Sequence, residues 1–395
     1  MRVAVVQHDA AADGARQSFG AMLARPAACL ASDLTGFGHD VTVVTLRLGG
    51  PRRIGGRALS LEARDRLRQE EARTADGVGI STVECTSPSD LSRVLRAIAP
   101  DAVLAVGRTV ADLLDRPSSY AGPWAFAPLP GDLRVDGSCG LRLPRRAARF
   151  VVASFAEVDL LARLGVCRER CDVVPWQLSA AARSNRASHD VPASATSVLT
   201  TSDPGGAGVA DMIRALKMLP ELRLTVAIDD LGAADLETTD RWVRLASGLK
   251  VGARLRLLRV RTGESLRVLV RTSDLVVTMP HEHLDAGLVA TAMWAGAPLV
   301  VSDVPGAREL VESGTTGLVL PPGKPRRLAQ ALRVVTRDAP ARSAWTWAGE
   351  RRAVETLDRH GTALTMSLAL ESLRGDRRRE PAWAGEALAL DGVAG

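Results

Sequence analysis

The stretch GAPLVVSDVPGARELVESGTTGLVLPPGKPRRLAQAL, residues Gly296–Leu332, decides the fold. Its apolar run at 298–301 is short and β-branched, as in a strand that is buried on both faces of a parallel sheet. A loop, a short helix and a second apolar run at 318–320 follow, and Pro321-Pro322-Gly323 ends that run before a helix begins near Pro325. This order predicts an α/β unit with parallel strands.

The residue order of this stretch resembles the carboxyl-terminal, nucleotide-sugar half of family 4 glycosyltransferases of the GT-B fold. The usual pattern of that family runs G-x-P-V-V-x-S-x-x-G-G-x-x-E-x-V-x-x-G-x-T-G-x-L-V-P-P. The resemblance implies an α/β protein with two Rossmann-like doubly wound domains that face each other across a cleft. The residues that fall on the pattern without a gap are Gly296, Pro298, Ser302, Gly306, Glu309, Gly314, Thr316, Gly317, Pro321 and Pro322.

The rest of the chain alternates short apolar runs with helical segments in two similar halves, which predicts two parallel sheets. Residues 1–178 are the expected amino-terminal, acceptor-side domain, and 179–197, which has no hydrophobic period, is the expected linker. Residues 198–344 are the expected nucleotide-sugar-type domain. In the resembled fold, residues 345–372 are closing helices that return to the amino-terminal domain, and we expect the tail 373–395 to be partly disordered.

Composition agrees with a two-domain protein that does not span a membrane. A chain of 395 residues with 46% hydrophobic and 24% charged residues is too long for one ordinary core. No apolar run approaches the roughly 20 residues of a membrane span, and the start of the sequence lacks a signal-peptide pattern, so we predict a cytoplasmic location. The cysteines are scattered and odd in number, which favours reduced thiols: Cys29, Cys85, Cys139, Cys167 and Cys171.

The formal net charge of +6 comes almost wholly from arginines that are dispersed among acidic residues. This pattern favours a solvated surface over a nucleic-acid site, so we predict no nucleic-acid partner. The dense basic run is Arg374–Arg379, in the predicted tail. A weak contact of this run with a membrane surface or a protein partner is the alternative that remains open.

The loop after the first strand of the second half departs from the resembled family. In that family, an Arg and a Lys from a G-R-x-x-x-x-K-G loop neutralise the donor diphosphate, and no metal is used. Matched on Gly208, those places hold Ser202 and Ala207, while Asp203 adds a negative charge. Backbone N–H groups of the loop could still hold a phosphate at a helix start, although a plain tight turn is the alternative. The donor-binding candidates here are Ser202, Gly205, Gly206 and Gly208.

A second family marker is a pair of glutamates eight residues apart that bind the donor sugar and the ribose. Aligned on Ala292-Met293, those places hold His283 and Thr291, and Glu282 lies one position from the first. These residues follow a predicted strand at 275–279, and ligands of open α/β sheets bind at the carboxyl ends of strands. Gly306 and Glu309 are further donor-binding candidates from the resemblance. A metal ion bound by His281, Glu282 and His283 would lack an evident fourth ligand, so we predict no metal site.

The amino-terminal half offers His8 and Asp9 at the end of its first strand. A general base on the acceptor side is the functional interpretation of these two residues, and a cap of the following loop is the alternative. The histidine that the resembled family often carries in its strand after Pro-Asp is absent from Asp101–Val106.

Two hypotheses follow. The first is a metal-independent, retaining glycosyltransferase that moves a sugar from a nucleotide donor to an unknown acceptor. It needs no other cofactor, and its catalytic candidates are His8, Asp9, Glu282 and His283. The second is a catalytically inactive scaffold that binds a glycan or a protein partner such as an active homologue. The coordinated replacement of charged groups, each worth about 1.5–3 kcal/mol when hydrogen bonded, favours the second.

Overall fold

The computed structural model describes residues 1–8, 27–47, 71–72, 80–129, 132–133, 143–175, 178, 196–228, 233–260, 262–282 and 284–376. These residues form two α/β units, each with its own sheet. The predicted fold class, two Rossmann-like domains with parallel, doubly wound sheets, is confirmed. The exact domain boundaries stay predictions.

The first sheet has eight strands in the order β3-β4-β2-β1-β5-β6-β7-β8. All neighbours pair in parallel except β3 with β4. The order reverses between β1 and β5, which makes that gap the switch point of the sheet. Its strands are β1 (Arg2–His8), β2 (Asp40–Leu46), β3 (Glu71–Ala72), β4 (Ile80–Cys85), β5 (Ala102–Val106), β6 (Trp124–Ala127), β7 (Arg149–Val152) and β8 (Cys171–Val173). Its helices are α1 (Ala27–Gly36), α2 (Pro88–Ile98), α3 (Arg108–Leu114) and α4 (Phe155–Arg163).

The second sheet has six parallel strands in the order β11-β10-β9-β12-β13-β14, with its switch point between β9 and β12. Its strands are β9 (Thr196–Thr201), β10 (Leu222–Ile228), β11 (Leu255–Arg259), β12 (Leu275–Thr278), β13 (Leu299–Ser302) and β14 (Leu318–Leu320). Its helices are α5 (Ala207–Leu216), α6 (Ala233–Gly248), α7 (Gly263–Thr272), α8 (Ala286–Trp294), α9 (Ala307–Leu310) and α10 (Pro325–Arg337).

Strands β5 and β12 are buried along their whole length, as their largely apolar sequences require. Every residue of β5 and of β12 is buried, and the helices supply apolar faces to cover them. In α10 the buried side chains recur at helical spacing, at Leu328, Leu332 and Val335. Each such side chain contributes about 1.5–3 kcal/mol when it is fully removed from water.

The start of β9 corrects the predicted linker. Thr196 and Ser197, which we expected at the end of that linker, pair with Leu222 and Arg223 of β10. The strand therefore begins earlier because the ladder to its neighbour extends by two residues. Most of the predicted linker, residues 179–195, lies outside the described residues.

Two long helices close the chain, α11 (Ala339–Thr356) and α12 (Arg359–Asp376). The first begins before the predicted residue 345, because Asp338 accepts a hydrogen bond from the N–H of Ala341 at 2.9 Å and starts the helix there. It packs against α8 of the second domain.

The last helix, α12, packs on α1 and on strands of the first sheet. Leu370 and Leu373 are fully buried there, and Ser367 Oγ lies 2.6 Å from Nε2 of His39. The predicted start of a partly disordered tail at residue 373 is therefore wrong, because Leu373 belongs to the core of the first domain. Residues 377–395 lie outside the described part of the chain.

Candidate functional site

The candidate site of the second domain lies at the carboxyl ends of β9 and β12, the two strands that flank its switch point. The loop after β9 carries Ser202 and Asp203, and the loop after β12 carries His281 and Glu282. Gly208, in the first turn of α5, packs closely against the start of the loop after β12. A Cβ at this position would lie 2.3 Å from the backbone oxygen of Met279, so the close packing of α5 on the end of β12 requires glycine.

Asp203 caps α5 with its side chain. Oδ2 accepts a hydrogen bond from the N–H of Gly208 at 2.9 Å, and Oδ1 accepts one from Val209 at 3.1 Å. Burial raises the pKa of the Asp203 carboxyl, while these two backbone donors oppose the rise. The N–H of Gly208 therefore already has an acceptor at the helix N-terminus, and a role of this loop in phosphate binding stays a prediction.

The two glycines between Asp203 and α5 adopt left-handed backbone, with φ of 73° at both Gly205 and Gly206. Gly206 also lies under α6. Its carbonyl oxygen accepts a hydrogen bond from the indole Nε1 of Trp242 at 3.0 Å, and a Cβ there would come within 2.5 Å of Thr238 Cγ2. The turn therefore has a conformation that only glycine adopts without strain.

His281 lies within hydrogen-bond distance of a buried carboxylate. Its Nε2 lies 2.8 Å from Oδ2 of Asp211, whose residue is 4% exposed. Arg214 donates to the other oxygen, Oδ1, at 3.1 Å. The charge of His281 also lowers the pKa of Asp203, although burial outweighs it. The imidazole thus lies within electrostatic range of both carboxylates at the switch point.

The other candidate residues lie on several elements of the second domain. Glu282 is exposed in the loop after β12. Ser302 Oγ donates a hydrogen bond to the carbonyl oxygen of Pro280 at 2.6 Å, which anchors the start of that loop to β13. Thr291 is half-buried in α8. Ser202 donates its N–H to Ala227 O at 2.8 Å at the end of β9. His283 lies outside the described residues.

Glu309, expected to bind the donor, contacts the first domain. Its two carboxylate oxygens accept hydrogen bonds from the N–H groups of Phe155 and Ala156, at 2.7 and 2.8 Å. Gly306, with φ of 83°, starts the short helix that carries it. The side chain is therefore used in a contact between domains, and a role in donor binding stays a prediction.

A second carboxylate lies beside this contact. Glu157 accepts a hydrogen bond from the N–H of Ala153 at 2.7 Å through Oε2. Burial raises the pKa of Glu157, the nearby charge of Glu309 adds to the rise, and the backbone donors oppose it. Sequence reasoning missed this group because an acidic residue in the first turn of a helix is a common surface feature.

On the first domain, His8 is the last residue of β1 and is half-buried at the switch point. Across that gap, β5 ends at Val106, and Gly107 leads into α3 at Arg108. Asp132 accepts from the N–H groups of Arg108 and Leu129, at 3.0 and 2.7 Å, and burial raises its pKa. Sequence reasoning missed Asp132, for which no motif gave a signal. Asp9 lies outside the described residues.

The described residues contain no group of three or more His, Cys, Asp or Glu side chains placed to hold a metal ion. Within the same ranges, no helix combines the length and the apolar character that a bilayer span requires.

Part of the chain, mostly in the second domain, resembles a known protein family. The model of the family "Glycosyl transferases group 1" matches residues 206–352. Glycogen synthase of Mycobacterium tuberculosis is 32% identical over 177 residues, which cover 44% of this chain and 42% of that protein. D-inositol 3-phosphate glycosyltransferase of the same species is 36% identical over 110 residues, covering 28% and 22%. The chain therefore spans less than half the length of these curated relatives.

Solved structures match over most of the chain. HepE of Anabaena, crystallised with UDP and glucose, has a TM-score of 0.68 at 17% identity and covers 94% of this chain and 100% of its own. Sucrose-phosphate synthase from Thermosynechococcus elongatus has a TM-score of 0.65 at 15% identity, covering 95% and 99%. At such identities the likeness shows the fold, which is that of GT-B glycosyltransferases. The chain thus has a GT-B-like fold, and residues 206–352 match the model of the glycosyl transferases group 1 family.

Proposed function

We propose that this protein transfers a sugar from a nucleotide-sugar donor, bound by the second domain, to an acceptor bound by the first. The observation that carries the proposal is the group 1 domain match, within which lies His281 at the switch point of the sheet. Open α/β sheets bind their ligands at this place. HepE, whose crystals contained UDP and glucose, supports the same class of ligand here.

The resemblance to family 4 glycosyltransferases makes the transfer retaining and independent of a metal. Glu282 and His283 are the donor-side candidates, and His8 and Asp9 are the acceptor-side candidates for taking the proton of the attacking hydroxyl. The wider donor-binding set of the proposal is Ser202, Gly205, Gly206, Gly208, Thr291, Gly306 and Glu309.

Donor affinity is expected to be low, because the loop after β9 lacks the two cations of the resembled family and carries Asp203 instead. We expect calorimetric titration with UDP, GDP and their sugars to give dissociation constants of about millimolar or above, roughly 4 kcal/mol of binding free energy. A transfer assay at millimolar donor, with and without EDTA, should give the same product in both samples. Absence of both nucleotide-dependent heat and product would overturn the proposal.

A catalytically inactive scaffold is the second candidate, and the cap of α5 by Asp203 favours it. A carboxylate on those N–H groups repels a diphosphate and takes up the donors that would bind one. Under this alternative the chain binds a glycan or a protein partner, such as an active homologue, without turnover. Micromolar binding of any nucleotide sugar would contradict it.

A further inference from the structure

We propose that His281, oriented by Asp211, contacts the phosphate groups of the donor and supplies the positive charge that the loop after β9 lacks. This inference rests on the proposed binding of a nucleotide sugar, and it deepens that proposal by naming the phosphate contact. Asp211 is a positioning residue in this arrangement, since it acts through the imidazole.

His281 lies beside the switch point of the second sheet. It follows β12, and Asp203 follows β9, so the two side chains approach the switch point from opposite sides. The charge of the imidazole acts on Asp203, which caps α5. A phosphate that entered this crevice would therefore meet the imidazole and the carboxylate together, and only the imidazole attracts it.

The carboxylate that contacts the imidazole belongs to a buried residue, Asp211. Asp211 lies on α5 between apolar residues of the core, and Met212 and Ile213 beside it are buried. A carboxylate at such a position costs free energy unless it is paired, and an apolar residue would pack there without that cost. The pair of Asp211 with His281 holds the imidazole in one orientation.

The pair with Asp211 uses only one side of the imidazole ring. The hydrogen bond to Asp211 uses Nε2, and among the described residues no partner is found for Nδ1. The side chain is 39% exposed. Its Cε1 faces the turn after β14, where a Cβ on Gly323 would lie 3.7 Å away. That distance is an ordinary van der Waals contact, so the turn lies beside the ring without crowding it.

The charged groups around the imidazole set the conditions of the contact. They are Asp203 after β9, Asp211 and Arg214 on α5, Glu282 next in the chain and Lys324 beside Gly323. A protonated ring forms charge-assisted hydrogen bonds to phosphate oxygens, whereas the carboxylates among these groups repel them.

The test measures that contribution directly. Calorimetry gives the affinity of UDP relative to uridine, and of GDP relative to guanosine, for the wild type and for His281→Gln. We expect the preference for the diphosphate to fall about 10-fold in the variant while binding of the nucleoside is unchanged, as for the loss of one charge-assisted hydrogen bond.

Two further variants separate orientation from packing. Asp211→Asn should weaken the diphosphate preference, because the amide replaces the carboxylate that orients the imidazole. Arg214→Ala removes the other partner of Asp211 and is the matched control, which should leave the preference as in the wild type. Thermal melts verify that each protein is folded, and if Asp211→Asn does not fold, His281→Gln alone decides.

The outcomes distinguish the two proposals. An unchanged diphosphate preference in a folded His281→Gln protein overturns the phosphate contact and leaves the proposed function standing. Failure of the wild type to bind any of the four compounds overturns both. A preference that falls equally in Arg214→Ala and in Asp211→Asn overturns the positioning role of Asp211.

Discussion

The Oε1 atom of Glu309 accepts a hydrogen bond from the backbone N–H of Ala156 at 2.8 Å, across 153 residues of sequence. Oε2 accepts a second one from Phe155 at 2.7 Å. Both donors lie in the first turn of α4, where backbone N–H groups have no partner within the helix. A glutamate that the sequence assigns to the donor site thus caps a helix of the other domain.

Loss of this contact should destabilise the protein. We expect Glu309→Ala to lower the free energy of unfolding by about 1.5–3 kcal/mol, the range for hydrogen bonds to a charged group, as measured by urea denaturation. Glu312→Ala is the matched control, because Glu312 is an exposed acid three residues further on, and it should change stability by less than about 0.5 kcal/mol. Equal effects of the two substitutions would show that the contact contributes nothing.

Glu157 should make stability depend on pH. Its pKa in the folded protein is raised above the ordinary 4.5, mainly by burial, so its ionised form opposes folding. That cost is absent below the unfolded pKa and grows as pH rises through the folded pKa. Glu157→Gln should therefore stabilise the protein more, relative to the wild type, at about pH 8 than at about pH 4. A difference in unfolding free energy that is the same at both pH values would contradict this.

The glycine turn before α5 gives a paired test of strain and packing. Gly205→Ala should cost about 1–3 kcal/mol of unfolding free energy, because both glycines have a left-handed backbone. Gly206→Ala should cost more, since its Cβ would also press on Thr238 and Trp242, whereas a Cβ at Gly205 meets nothing within 4 Å. Equal losses in urea denaturation would mean that α6 moves away without cost.

Restoring the family cations should improve donor binding. We expect the triple variant Ser202→Arg, Ala207→Lys, Thr291→Glu to bind UDP more tightly than the wild type, by calorimetry, because it adds charge-assisted contacts to the diphosphate and the ribose. Adding Asp203→Asn should improve binding further, since it removes a negative charge from the start of α5. Unimproved binding in a folded variant would mean that the site of the resembled family does not map onto these loops.

Turnover tests the donor-side carboxylate. Glu282→Ala should reduce the transfer rate by roughly 10-fold or more, about 1.4 kcal/mol of transition-state stabilisation. Glu312→Ala again serves as the exposed acidic control and should retain the wild-type rate. A Glu282→Ala protein with the full rate would remove Glu282 from the catalytic candidates.

Local patterns predicted the elements well where the sequence is unbroken and apolar. The strand predicted at 318–320 is β14, and the strand predicted at 275–279 ends one residue later than β12 does. The start of β9 was less accurate, because Thr196 and Ser197 are polar and join the strand only through pairing with β10. A strand end of this kind depends on its neighbour rather than on its own sequence.

The location of the candidate site was predictable from the sequence, but the contacts between its residues were not. Runs of strands and helices locate the switch point, and so the loops after β9 and β12. The cap by Asp203 had a local signal, since Asp commonly precedes a helix, but the negative charge was interpreted only as an obstacle to a diphosphate. His281 belongs to the cluster of titratable residues that the sequence places after this strand, but its pairing had no local signal, because Asp211 lies 70 residues earlier and looks like a surface acid of a helix.

The sequence by itself determined the two doubly wound domains, because strand and helix periods and the Gly/Pro turns are local properties. Tertiary structure alone decided what the charged residues do. Asp211 pairs with His281, Asp203 occupies the N–H groups of α5, and Glu309 bridges to Ala156, since each carboxylate takes whichever donors the fold brings within about 3 Å. Burial then makes those pairings obligatory, because an unpaired charge away from water is costly.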